Sequence, residues 1–129
     1  AVLAAVELVN PDMPAAMEAA LLAKMADRRQ IKGAVVDGPL ALDNAVSLHS
    51  AEVKGIDSPV AGKADILVVP DIEAGNVLYK SVVYFAKARV GGVIAGAKAP
   101  VVLTSRSDSH QAKLDSIAFS AVYAAGLKQ

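Results

Sequence analysis

Short apolar runs rich in Val and Ile alternate with longer stretches of helical periodicity, and that alternation limits the fold more than any other feature of the chain. The runs Val2–Leu8, Ala34–Asp37, Ile66–Val69, Gly92–Ala95 and Val101–Thr104 are four to seven residues long and bounded by Gly, Pro or Asp. That is the pattern of strands buried on both faces. Between them, Pro14 suits a first helical turn and opens an Ala-rich run to Arg29, with Met17, Leu21, Leu22 and Met25 on one arc. Leu40–Ala51 and Val77–Lys87 read as two further helices, the second with Leu78, Val82 and Phe85 along one face. The last helix spans Ser109–Ala125, with Asp108 as its cap, Gln111 in the capping-box position, Leu114, Ile117, Ala118 and Ala121 as the buried stripe, and Gly126 as a left-handed stop. Val53–Lys63 reads as an irregular loop and Gly91–Gly92 as a soft boundary. Alternation of this kind argues the α/β class with a largely parallel sheet.

Composition removes several classes. With 13 Lys+Arg against 13 Asp+Glu the net charge is +0, so the electrostatic footprint of a nucleic-acid binder is missing. A hydrophobic share of 54% excludes disorder. Glu7, Lys24, Asp65 and Lys87 interrupt the apolar stretches, and none reaches the roughly 20 residues of a membrane span. The length of 129 residues fits one domain or a piece of something larger. Without Cys there is no disulfide framework or thiolate zinc site, which fits a reducing, cytoplasmic interior. The chain opens inside an apolar run, Ala1-Val2-Leu3-Ala4-Ala5-Val6. Termini are usually polar and frayed, so the expectation is a fragment lacking its N-terminal part.

Familiar nucleotide motifs fail. Gly62-Lys63 is followed by Ala64, and Asp57 stands where a P-loop needs Gly. Gly91-Gly92-Val93-Ile94-Ala95-Gly96 has the wrong offsets for a dinucleotide fingerprint, so these glycines are expected to serve close packing or turns. His49 and His110 belong to no metal-spaced cluster and read as surface or helix-end residues. Asp43 and Ser47 stand four apart, but no strained serine elbow surrounds Ser47.

Three loops follow directly on candidate strands, where α/β sheets gather ligands and helix starts favour anions. They are Asp37-Gly38-Pro39, Pro70-Asp71-Ile72-Glu73-Ala74-Gly75-Asn76 and Thr104-Ser105-Arg106-Ser107-Asp108. The third combines a hydroxyl, a guanidinium and a helix start. An Arg fork pairs bidentately with phosphate oxygens, and a helix end adds roughly 0.3–1 kcal/mol for an anion. A serine-rich turn with a solvated Arg remains the alternative at this point.

At these loops the chain resembles the phosphate acetyl/butyryl transferase family. The resemblance is carried by Asp37-Gly38-Pro39-Leu40-Ala41-Leu42-Asp43-Asn44-Ala45, by Val60-Ala61-Gly62-Lys63-Ala64-Asp65 through Pro70-Asp71-Ile72-Glu73-Ala74-Gly75-Asn76-Val77-Leu78-Tyr79-Lys80, and by Pro100-Val101-Val102-Leu103-Thr104-Ser105-Arg106. Block order and spacing agree along essentially the whole chain, with wording closer to the butyryl than the acetyl branch. The resemblance implies a two-lobed α/β architecture of the isocitrate/isopropylmalate dehydrogenase type, of which this chain is a C-terminal fragment. Residues 1–91 would belong to the second lobe and 92–129 would complete the first. The implied reaction is acyl-CoA + phosphate ⇌ acyl phosphate + CoA, with a butyryl or similar short acyl group. CoA and phosphate are substrates, and no cofactor or metal is expected. The implied protein is a cytoplasmic homo-oligomer, a dimer by family, with no nucleic-acid or membrane partner, and the fragment alone is expected to be inactive.

By the same resemblance Ser105 would hydrogen-bond the charge developing on the thioester oxygen or departing sulfur, and Arg106 would hold phosphate. Asn76 and Lys80 would line the cleft from the other lobe, with Gly38 and Asp43 nearby. Read without the family, Asn76 is a helix N-cap and Lys80 a solvated first-turn lysine. Acetyl-branch members carry an acidic residue shortly after Ser-Arg as the proposed base, where this chain has Ala112. The base stays open among Asp108, a residue of the missing part and phosphate itself. Two other functions compete: a metal- and NAD-dependent hydroxy-acid dehydrogenase of the same fold, for which Asp65 and Asp71 lack suitably spaced partners, and a non-catalytic scaffold or dimerisation lobe.

Overall fold

The first four residues are the centre of a small parallel ladder. On one side Val2 N–H donates to Asp37 O (2.9 Å), Ala4 N–H to Leu40 O (2.9 Å) and Leu40 N–H to Val2 O (3.1 Å). On the other, Leu3 N–H donates to Val68 O and Val68 N–H to Ala1 O, both at 2.8 Å. Both pairings are parallel. The computed structural model that shows this describes residues 1–126, and its helices are α1 (Pro14–Asp27), α2 (Leu42–Val46), α3 (Leu48–Val53), α4 (Ile72–Tyr84) and α5 (His110–Gly126). The α/β class holds, although the extended pairing is confined to isolated bridges at Val2–Val68, Leu3–Leu40 and Ile94–Val101 among the described residues. No helix among them is long and apolar enough to cross a membrane.

The chain divides into two compact units, Ala1–Val77 and Leu78–Gln129. In the first, Leu3, Leu40, Ala45, Ala51, Val60 and Ala61 form the core, with Ile56, Leu67 and Val69 packed against them. The loop after α3 seals it: Ser58 Oγ accepts the N–H groups of Val60 and Ala61, each at 3.1 Å. Gly62 N–H then donates to Asn44 O (2.7 Å) and Ala64 N–H to Ala45 O (3.1 Å). Carbonyls that α2 is too short to use internally are thereby satisfied.

Several expected elements shift, each for a local reason. The run Val2–Leu8 pairs only over its first residues. Asn10 makes a turn, accepting Asp12 N–H at its side chain (3.0 Å), and Leu8 and Val9 are exposed. The pairing expected over Ala34–Asp37 falls at Asp37 and Leu40 instead. Pro14 does open α1, but the buried residues there are Ala16 and Ala19, and Leu21 and Met25 of the predicted arc are exposed. The helix predicted over Leu40–Ala51 is broken at Ser47, whose backbone is extended and whose side chain accepts Ser50 N–H (3.2 Å) to cap α3. The break also separates Asp43 and Ser47 from a common helical face. α4 begins five residues before the predicted Val77, because Asp71 Oδ1 accepts Ala74 N–H (2.7 Å) and caps it. It ends at Tyr84, leaving Phe85 exposed.

In the second unit Ile94 and Val101 pair antiparallel, an exception to the largely parallel pairing expected. α5 is capped by Ser109, whose Oγ accepts Ala112 N–H (3.1 Å), not by Asp108. Gln111 completes no capping box; it donates to Asp115 Oδ1 (2.9 Å). Gly126 lies within the helix without a left-handed φ. The predicted stripe is exposed, Leu114 by 59% and Ile117 by 58%, while Ser116 and Ser120 are buried. The inward face is the one that backbone can approach. Gly92 N–H donates to Ser116 Oγ (3.0 Å), and a Cβ on Gly91 would lie 3.0 Å from Asp115 O. Gly91 thus serves close packing, as predicted.

Candidate active site

Residues 105–108 form a turn tied by its own polar groups. Ser105 N–H donates to Asp108 Oδ2 (2.6 Å), and Asp108 N–H returns a bond to Ser105 O (3.1 Å). Ser and Asp favour such geometry because their short side chains reach nearby backbone. Ser105 Oγ lies 3.1 Å from Ser107 Oγ and accepts Ser107 N–H at 3.4 Å. When the Ser107 hydroxyl is also the donor, the Ser105 proton is free to point at a ligand. Arg106 sits at the exposed tip and forms no ion pair among the described residues. Its guanidinium fork is available to an anion. α5 starts two residues beyond the turn.

In the same unit, the Lys80 ammonium lies 5.6 Å from the Tyr79 ring centroid and 5.9 Å from that of Tyr84, within cation–π range. The third turn of α4, not the first, carries this lysine. Burial, and then the neighbouring Asp108 charge, raises the Tyr79 phenol above its ordinary pKa. Four expected or adjacent groups therefore belong to one neighbourhood: Ser105, Arg106, Asp108 and Tyr79. The part of Tyr79 was missed in the sequence, though it stands beside Lys80 in a family block.

The remaining expected site residues lie in the first unit. Asn76 is exposed on the second turn of α4, and Asp71 holds the cap position that Asn76 was read to offer. Gly38 has a packing reason for its identity: a Cβ there would stand 2.7 Å from Val2 O and 3.2 Å from the Ala19 Cβ. Asp43 pairs with Lys54 at 3.2 Å, and this hydrogen bond holds its carboxyl below the ordinary range. Asn44, not singled out by sequence, is fully buried and donates to Glu7 Oε2 at 3.2 Å. Lys54 also approaches Glu7 (3.7 Å). Among the described residues no three of His, Cys, Asp or Glu gather to hold a metal ion.

Fold and turn together define an α/β protein with an exposed guanidinium just ahead of a helix. The family described as "Phosphate acetyl/butaryl transferase" matches residues 1–121. The phosphate acetyltransferase of Thermotoga maritima is 63% identical over 124 residues, covering 96% of this chain and 42% of that protein. The phosphate butyryltransferase of Clostridium beijerinckii is 58% identical over 120 residues, covering 93% and 40%. The crystal structure of a branched-chain phosphotransacylase from Enterococcus faecalis V583 superposes with a TM-score of 0.82 at 47% identity, covering 93% of this chain and 43% of that one. This chain belongs to the phosphate acetyl/butyryl transferase family, as its sequence blocks indicated. It spans about two-fifths of the length of the curated relatives it matches. Their acyltransferase names leave the dehydrogenase alternative without support.

Proposed function

We propose that the protein transfers an acyl group, butyryl or similarly short, reversibly between CoA and inorganic phosphate. In the forward direction an oxygen of HPO₄²⁻ attacks the thioester carbonyl. The C–O bond forms, the C–S bond breaks, and the proton carried by phosphate goes to the departing sulfur, giving acyl phosphate and CoA thiol. Arg106 would hold phosphate bidentately, and the Ser105 hydroxyl would donate to the charge growing on the carbonyl oxygen or sulfur. Asn76, Lys80, Gly38 and Asp43 would bind substrate in the same scheme. The two-lobed isocitrate/isopropylmalate dehydrogenase architecture, the lobe boundary at residues 91 and 92, homo-oligomerisation and a cytoplasmic setting belong to this reading too. The observation that carries it is the exposed Arg106 next to Ser105, in a turn leading to a long helix, in a member of this family.

The test uses protein expressed from its complete reading frame, with butyryl-CoA as substrate and a thiol reagent as readout. Thiol release should require phosphate. Arg106→Ala should lower kcat/KM by at least about 10²-fold, the usual cost of one preorganised group. Release without phosphate, or an unimpaired Arg106→Ala, overturns the assignment.

A further inference from the structure

A general base needs a lone pair free and aimed at the proton it takes. Asp108, the nearest carboxylate to Arg106 in sequence, commits one of its two oxygens to the turn itself. One carboxylate oxygen accepts Ser105 N–H at 2.6 Å, a charge-assisted bond of roughly twice the strength of a neutral one. The backbone completes the tie, with Asp108 N–H on Ser105 O at 3.1 Å. Asp108 is half-buried, and its carboxylate neighbours the Tyr79 hydroxyl. Its bonds therefore fix the residue whose hydroxyl and following guanidinium would do the chemistry. Ser109, not Asp108, caps α5, so the carboxylate is not needed to start the helix.

We infer that Asp108 is a positioning residue for the transfer: its carboxylate locks the Ser105 backbone, and so the aim of Ser105 Oγ and Arg106, rather than removing a proton from substrate. The inference rests on the acyltransferase reading. It gives the bond balance above a definite form, because the proton that reaches sulfur need never reside on Asp108.

Two substitutions separate positioning from base catalysis. Asp108→Asn keeps an oxygen that accepts Ser105 N–H but cannot act as a base. Asp108→Ala removes the tie. Both are measured in the protein from its complete reading frame, as kcat and KM for phosphate with butyryl-CoA saturating, alongside urea midpoints. Positioning predicts that Asp108→Asn retains kcat to within about fivefold, while Asp108→Ala loses about 10²-fold in kcat/KM, the scale of an ångström-sized misplacement of reacting groups. Much of that loss should enter through a raised KM for phosphate, because Arg106 is no longer aimed. A base role predicts equal collapse of kcat in both variants with KM for phosphate unchanged, and that result overturns the inference. Should Asp108→Ala fail to fold, Asp108→Asn decides alone: a 10²-fold loss of kcat at an unchanged urea midpoint refutes positioning. The wild-type control separates the two layers. Phosphate-dependent thiol release with a collapsed Asp108→Asn refutes positioning only, whereas phosphate-independent release removes the acyltransferase reading and this inference with it.

Discussion

Replacing Gly62 by Ala should be among the most damaging single-methyl additions in the first unit. Gly62 has φ +78°, a left-handed conformation, and a Cβ built there would come 2.7 Å from Leu48 N and 3.1 Å from Leu48 Cβ. The obstacle includes backbone at the start of α3, which cannot swing aside as a side-chain tip can. The left-handed conformation alone costs an L-residue about 1–2 kcal/mol, and forcing a methyl into packed surroundings adds about 1–3 kcal/mol. The sum, about 2–5 kcal/mol, is a large part of the ~5–15 kcal/mol that separates folded from unfolded chains. With a urea slope of about 2 kcal/mol per molar, a loss of about 3 kcal/mol lowers the midpoint by about 1.5 M. Gly33 supplies the control, since its φ is +85° with nothing within 4 Å of a built Cβ. Gly33→Ala should meet only the conformational cost, a shift of about 0.5–1 M on the same slope. Equal midpoint shifts for the two variants would refute the steric half of the argument, and no shift in either would refute both halves.

Other consequences concern polar groups. Arg89 grips Asp115 with two bonds, Nε at 3.1 Å and Nη2 at 2.6 Å, and this guanidinium, with Gln111 second, holds the Asp115 carboxyl below its ordinary range. A lowered folded-state pKa means that the pair's stabilisation is present above the unfolded carboxyl pKa and is lost as pH falls through the folded value. Carboxyl NMR titration should show Asp115 titrating low, and Arg89→Gln should move it upward. Ser116 Oγ both donates to Ala112 O (2.7 Å) and accepts Gly92 N–H (3.0 Å). Ser116→Ala should therefore cost about 1–2 kcal/mol and speed amide hydrogen exchange at Gly92; unchanged exchange would count against that bond.

Class and family were legible from the chain because both depend on local order: Val-rich runs, helical periodicity, and blocks such as Thr104-Ser105-Arg106. Boundaries were less legible because they turn on single polar side chains. Ser47 and Asp71 each take a backbone N–H and so decide where α3 and α4 start, and neither disturbs the apolar periodicity around it. The inward face of α5 was misread for a different reason. Periodicity ranks residues by hydrophobicity, yet the face that meets Gly91 and Gly92 needs small residues to let backbone approach, so Ser116 is buried while Leu114 is not. At the candidate site the Ser105–Arg106 turn could be located from its residue types. Asp108 was visible as a carboxylate of unspecified purpose, and only three-dimensional placement shows that it holds Ser105 N–H.

The placement of residues 1–4 at the middle of the ladder also governs how the first unit assembles. Its partners arrive 36 and 65 residues later, in the Leu40–Ala4 and Ile66–Ala1 bonds. Each contact closes a long loop before any neighbouring pair can help, and such distant closures slow folding. Residues 1–4 are therefore shielded on both edges only once Val68 is in place. A nick in the loop after α3 would leave one of those edges bare, ready to recapture the severed piece.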